Sequence, residues 1–310
     1  MENVVCNLCG DSANAVPIIQ ALPDLLLHRN EVSATFVKCA SCGLVYQNPR
    51  PTFTEMAAHY PPEYESYAPE PDLENSSWLL RQAIRYGVAK RCRYITRYKH
   101  AGRLLDVGCA SGIFLQGIRN LGKWEPYGVE INAEVARLAQ EHGLDVRPGT
   151  LEQAGYADEY FDAVTLWDVL EHLHDPVGSL SEIHRILKPD GLVVIRVPNG
   201  NSRDSRLFGR YWAGLDSPRH LYIFTPEILA KMLDATGFKI VGQDSASGSY
   251  PTFLLSLRFW MIGQEPYPWY GRILFRILYH PVMRLLTAPI FYLRGLGLRG
   301  PQMIVTAAKK

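Results

Sequence analysis

The run Leu104-Leu105-Asp106-Val107-Gly108-Cys109-Ala110-Ser111-Gly112 constrains this chain more than any other stretch. It joins an apolar strand to a turn relieved by two glycines, and then to the apolar helix opening Ile113-Phe114-Leu115. Strand, glycine turn and helix form the unit with which open α/β folds hold a small ligand. Gly108 and Gly112 carry no side chain to block a close backbone approach, and a helix start leaves N–H groups unpaired. A dinucleotide fingerprint reads G-x-G-x-x-G and serves phosphates. Here Cys109 and Ala110 follow Gly108 and Asp106 precedes it, which suits a cationic ligand group better.

The segments that follow repeat the alternation. Tyr127 to Glu130 reads as a second strand ending in an acid, Asn132 as the cap of a helix from Ala133 to His142, and Asp145 to Arg147 as a third strand. Phe161 to Trp167 is apolar enough to be buried on both faces. A helix from Val177 to Leu187, a turn Lys188-Pro189-Asp190-Gly191 and a strand from Leu192 to Val197 come next. This order predicts an open, mostly parallel sheet with helices on both faces.

The D-x-G-x-x-x-G form of Asp106 to Gly112, with Glu130 closing the next strand, resembles the first motifs of the class I S-adenosylmethionine (SAM) methyltransferases. The resemblance covers roughly residues 101–250 and the last strand. It implies a Rossmann-like α/β sheet, mostly parallel with its last strand antiparallel, and SAM as cofactor. Asp106, Gly108 and Gly112 would then hold the methionine end, with Cys109 and Ser111 completing the loop. Glu130 would hold the ribose and Ile131 one adenine face. Thr150 and Leu151 would meet the adenine edge, and Trp167 and Asp168 would line the methyl side. The family often carries Asp where Thr150 stands, so the chain departs from the pattern there.

Cys6-x-x-Cys9 and Cys39-x-x-Cys42 are each followed by glycine, Gly10 and Gly43. Four thiolates in two tight turns match the tetrahedral preference of zinc, and a glycine after the second Cys allows the positive φ that aims N–H groups at sulfur. The gap between pairs exceeds the usual roughly 15–20 residues, so a larger loop is needed. Disulfides or a redox pair are the alternatives. The start Met1-Glu2-Asn3 has no basic segment or apolar core of a secretory signal, and reduced thiols in the cytoplasm fit metal better than cystine. The expected organisation is a zinc module over residues 1–50, a linker and basic helical segment over 51–100, a SAM-binding core over 101–252, an apolar basic insertion over 253–300 and a final strand over 301–310.

The linker is marked by Asn48 to Pro51 and Tyr60-Pro61-Pro62-Glu63-Tyr64. From Ser77 to His100 there is no Asp or Glu, while Leu80, Ile84, Val88 and Ile95 recur at helical spacing. This segment is read either as a solvated basic face over packed helices or as a contact for an anionic substrate or membrane surface. The insertion sets Arg258, Arg272, Arg276, Arg284, Arg294 and Arg299 among apolar runs with Glu265 as its acid, and Pro281 and Pro289 are expected to break it into pieces. No run reaches the roughly 18 apolar residues of a spanning helix. The block is read as a lid, a homodimer surface or a peripheral contact with the inner membrane surface. The resemblance to class I methyltransferases implies a pair of terminal strands that closes the sheet, here Lys239 to Gly242 and Met303 to Thr306.

Methyl transfer to a hydroxyl or amine requires a base, and His220 and His172 are the candidates for the catalytic role. His174 reads as structural. The acceptor implied is a small molecule: a sugar, a nucleotide-linked sugar, a lipid-linked glycan or a metabolite. Some ribosomal-RNA methyltransferases also join a four-ligand zinc module to this fold. A net charge of +1 over 310 residues and the lack of an obvious aromatic and basic base-stacking platform in the zinc segment speak against nucleic acid here. Intact Asp106, Gly108, Gly112 and Glu130 speak against a non-catalytic binding protein.

Overall fold

A strand with no exposed face, Phe161–Trp167, can be stable only inside a sheet covered on both sides, and the chain is built around it. The computed structural model describes residues 1–60, 77–245, 249–263, 269–295 and 297–310. In chain order the elements are β1 (Ala15–Asp24), β2 (Arg29–Cys39), β3 (Val45–Gln47), α1 (Phe53–Met56), α2 (Trp78–Thr96), β4 (Gly102–Val107), α3 (Ile113–Arg119) and β5 (Trp124–Glu130). Then come α4 (Ala133–Glu141), β6 (Asp145–Pro148), α5 (Leu151–Ala154), β7 (Phe161–Trp167), α6 (Pro176–Ile186), β8 (Leu187–Pro198), α7 (Arg203–Phe208), β9 (Tyr222–Ile223), α8 (Pro226–Ala235) and β10 (Phe238–Ser245). Last are α9 (Ser249–Ile262), α10 (Gly271–Leu278), α11 (Pro281–Arg294) and β11 (Gln302–Lys309).

The described strands form a seven-stranded sheet in the order β10-β11-β8-β7-β4-β5-β6. Its neighbours pair in parallel from β8 to β6, and β11 runs antiparallel between β8 and β10. The fold is the mostly parallel, Rossmann-like sheet with an antiparallel final strand. Asn132 caps α4 by accepting from Glu134 and Val135, Asp175 caps α6 and Thr225 caps α8, so each helix start is fixed by a short polar side chain.

Four local expectations change. Lys188 to Gly191 is not a turn between helix and strand. β8 already pairs at Leu187 with Phe161 and next at Leu192 with Ala163, so these residues bulge out of a continuous strand. Within α2 only the second half packs: Cys92, Tyr94 and Ile95 are buried, whereas Leu80 is exposed. Pro281 does separate α10 from α11, as the first residue of α11, but Pro289 lies inside α11 without ending it. The large loop expected between the cysteine pairs is the β1–β2 hairpin.

That hairpin belongs to a second sheet, of order β1-β2-β3-β9, in which Val45 and Tyr46 pair with Ile223 and Tyr222. Cys6, Leu44 and Tyr46 share one buried cluster with Phe224, Ile228 and Leu229. The segment Pro61 to Tyr64 and Glu265 lie outside the described residues.

Candidate functional site

At the carboxyl ends of β4 and β5 the chain buries two acids side by side. Asp106 is 3% exposed and accepts from the Thr165 hydroxyl at 2.5 Å. Burial pushes its carboxyl up to about 7 against the pull of Thr165 and Arg91. Glu130 accepts from the backbone N–H of Ala110 at 3.0 Å and of Asn132 at 2.9 Å, and burial raises it as well. These bonds tie the glycine turn to the end of β5, so Glu130 shapes the loop as well as facing it. The turn is left-handed at Gly108 (φ 69°), Ala110 (φ 47°) and Gly112 (φ 86°). A Cβ at Gly112 would stand 2.3 Å from Leu144 Cδ1, and one at Gly108 2.6 Å from Val169 Cγ2. The glycines thus make room for the protein's own core, a role the ligand-approach reading had not given them.

Cys109 is buried behind this loop, with burial raising its thiol, and Ser111 is half-buried. Ile131 is exposed beside Glu130, whereas Leu151 is buried. Thr150 caps α5 in a box with Gln153, so its side chain already has a structural task.

Trp167 closes β7 and packs edge-on to Phe114. The guanidinium carbons of Arg91 and Arg196 lie 5.5 and 5.6 Å from its ring centroid. Asp168, at φ 59°, forms an ion pair with Arg196 and accepts from Gln302 at 3.2 Å. Arg91 has no carboxylate partner among the described residues; the acids that act on it at longer range are Asp168 and Asp106. Neither arginine was singled out from sequence. Arg91 could have been, since it lies three residues after Val88 and four before Ile95, on the packing side of α2.

His172 and His220 are brought together, their ring centroids 4.5 Å apart. Nδ1 of His220 faces the Gly214 carbonyl at 2.8 Å, and Nδ1 of His172 faces the Arg219 carbonyl at 3.1 Å and the Tyr60 hydroxyl at 2.8 Å. A carbonyl only accepts, so Nδ1 of His220 carries the proton and its Nε2 keeps the lone pair, whereas Nδ1 of His172 either donates to the Arg219 carbonyl or accepts from the nearer Tyr60 hydroxyl. Burial, with His220 adding, pushes His172 down to about 3, which makes it a weak base. His220 Nε2 lies 4.0 Å from Glu171 Oε1 and 3.9 Å from Asp216 Oδ2. Arg219, fully buried, binds Asp24 through two bonds of 2.8 and 2.9 Å and also holds Asp216. Asp24, at the end of β1, carried no sequence signal. His174 is structural, its Nε2 donating to the Pro51 carbonyl at 3.1 Å.

At the opposite, amino-terminal edge of the sheet a concavity of about 670 Å³ is lined by Arg103, Arg119, Lys123 and Glu125 among others. It is wide open to solvent. Ligands of open α/β sheets bind at the carboxyl edge.

The four N-terminal thiols converge. Cys6 Sγ lies 3.4 Å from Cys42 Sγ and Cys9 Sγ 3.6 Å from Cys39 Sγ, and all four are free. Sulfurs around one zinc at about 2.3 Å stand about 3.8 Å apart, whereas a disulfide needs about 2.05 Å. Gly10 and Gly43 adopt φ 73° and 88°, and each donates to the carbonyl of the first Cys of its pair. This donor set could hold a structural zinc.

The mostly parallel sheet with two buried acids at its carboxyl edge is the arrangement expected of a SAM-dependent methyltransferase. A family model described as a methyltransferase domain matches residues 79–243, and the chain belongs to that family. A ubiquinone biosynthesis O-methyltransferase of Cereibacter sphaeroides is 38% identical over 153 residues, 46% of this chain and 62% of that protein. One of Ruegeria pomeroyi with the same description is 37% identical over 107 residues, 33% of this chain and 43% of that protein. The chain thus spans less than two thirds of the length of these curated relatives. A chain in the solved complex of the Haloferax volcanii Trm112 methyltransferase activator and a putative methyltransferase matches with a TM-score of 0.51. The identity is 17%, covering 74% of this chain and 90% of that one.

Proposed function

We propose that this chain transfers the methyl group of SAM to a hydroxyl oxygen of a small amphiphilic acceptor. The observation that carries the reading is the pair of buried acids, Asp106 and Glu130, at the ends of neighbouring parallel strands in a methyltransferase-domain fold. SAM supplies an electrophilic methyl on a cationic sulfur when bound. Asp106 attracts the ligand's cationic end, Glu130 accepts from the ribose hydroxyls and Ile131 covers an adenine face. Cys109, Ser111, Thr150, Leu151, Trp167 and Asp168 form the remaining wall. Arg91, with no carboxylate partner among the described residues, suits an anionic group of the ligand. As the oxygen–methyl bond forms, the hydroxyl proton passes to the free lone pair of His220 Nε2. His172 is too weak a base to keep it.

Oxygen as the methylated atom is supported by the names of the curated relatives. An amphiphilic acceptor is supported by α10 and α11, where Ile277, Leu285, Leu286 and Ile290 are exposed beside the exposed Arg276 and Arg284. No described helix is long and apolar enough to cross a membrane. An apolar face with basic residues and no acid among its described positions suits the boundary of an anionic bilayer, where a lipid-linked acceptor resides. The test is methyl-labelled SAM with polyprenyl-linked phenols and glycans, nucleotide sugars and ribosomal RNA. A labelled methyl ether on an amphiphilic acceptor supports the reading; transfer to RNA, nitrogen or carbon refutes it.

A further inference from the structure

Glu171 is fully buried, and among the described residues neither of its carboxyl oxygens has a hydrogen-bond partner. Such a group is among the costliest a core can contain unless a cation is meant to meet it. One ligand atom each from Glu171, His172 and His220 lie within 4.8 Å of one another. Nδ1 of His220 holds its proton on the Gly214 carbonyl, leaving Nε2 free, and Nδ1 of His172 is held by the Arg219 carbonyl and the Tyr60 hydroxyl. That is how metal-binding histidines are fixed in tautomer and orientation.

Among the described residues the cluster gathers the carboxylates of Asp24, Asp216 and Glu171 around the guanidinium of Arg219, while the neighbouring Asp168 pairs with Arg196.

We propose that Glu171, His172 and His220 bind one divalent transition-metal ion, separate from the four-thiolate site. Two imidazoles and a carboxylate are a set that zinc accepts with one position left open. The observed 4.0 Å between His220 Nε2 and Glu171 Oε1 is too long for a hydrogen bond. Two ligands of a tetrahedral zinc stand about 3.4 Å apart, so these side chains close by rotamer adjustment. Asp216 is 3.9 Å from His220 Nε2 but is committed to Arg219, and it acts from outside the ligand set. With an ion bound, Nε2 of His220 would be a ligand and could not take the acceptor's proton; a hydroxyl in the ion's open position would instead have its own pKa lowered by the metal.

The experiment loads the whole protein with zinc or cobalt in the absence of SAM and acceptor, so its outcome is independent of the methyl-transfer reading. After removal of free metal, elemental analysis is expected to find two zinc ions per chain, falling to one in Glu171→Gln and in His220→Ala. One zinc or none in the wild type, or two retained in both variants, overturns the proposal. Should the variants fail to fold, cobalt titration of the wild type decides. A second equivalent with weak nitrogen–oxygen bands, distinct from thiolate charge transfer, supports the site, and absorption complete at one equivalent overturns it.

Discussion

Asp106→Asn separates what the buried acid costs the fold from what it returns in binding. The carboxyl is 3% exposed with the Thr165 hydroxyl as its short partner, and burial moves it from an ordinary 3.8 to about 7. At about 1.4 kcal/mol per pH unit, ionising it in the SAM-free fold costs about 4 kcal/mol. The folded state holds the proton between about pH 4 and pH 7 while the unfolded chain has released it. The stability attributable to this residue therefore falls as pH rises through that window and is level above it. Asparagine keeps the shape and cannot ionise. Urea unfolding without SAM should show the variant gaining on the wild type from pH 5 to pH 8, by about 2–4 kcal/mol once the protein's own relaxation is allowed for. SAM binding should move the other way. A cationic ligand favours the ionised acid, so wild-type binding below pH 7 releases a proton and the variant binds about 1.5–3 kcal/mol more weakly. Calorimetry in two buffers of different ionisation enthalpy reads that proton directly. A stability difference that does not change with pH, or a binding heat independent of buffer, would refute the assignment of Asp106 as the titrating contact.

Glu130→Ala should weaken SAM binding by about 1.5–3 kcal/mol; unchanged calorimetric affinity in this variant and in Asp106→Asn alike would remove the cofactor site from this edge. Asp24→Asn removes the charge that meets Arg219 through two bonds in the core and should destabilise by about 3 kcal/mol in urea unfolding. A loss under about 1 kcal/mol would mean that the Asp216 pair alone suffices. Cys39→Ser with Cys42→Ser should release the thiolate-bound zinc, and elemental analysis with zinc content unchanged would exclude that site. Leu285→Asp with Leu286→Asp should abolish flotation with anionic vesicles at low salt. If the wild type does not float, or sediments as a dimer that these substitutions split, α11 covers another copy instead.

The central sheet was legible because its signals are local. A glycine turn after Val107, an acid closing β5 and a doubly apolar β7 each report their own element. The same holds for the cysteine pairs, whose spacing reflects two small turns. What stayed hidden depends on distance along the chain. Nothing about Asp24 announces a partner 195 residues away at Arg219. The orphaned Glu171 stood in plain view beside His172, but its lack of a partner is a property of packing. Lys188 to Gly191 carry turn residues, yet sheet pairing on both sides absorbs them as a bulge within β8. The Leu80 end of α2 shows that helical spacing does not decide how far along its length a helix finds something to cover.

The pairing of β3 with β9 sets an order for synthesis. Residues up to Gln47 leave the ribosome early, but the edge of their sheet is filled only by Tyr222 and Ile223, and Asp24 meets its counter-charge only at Arg219. Until then β3 presents an unpaired edge and the hairpin a carboxylate bound for the interior. Such exposed edges are where nascent chains associate wrongly. A metal gathered early by the four thiols would hold the two cysteine turns together through that interval, before the partners of β3 and Asp24 have been made.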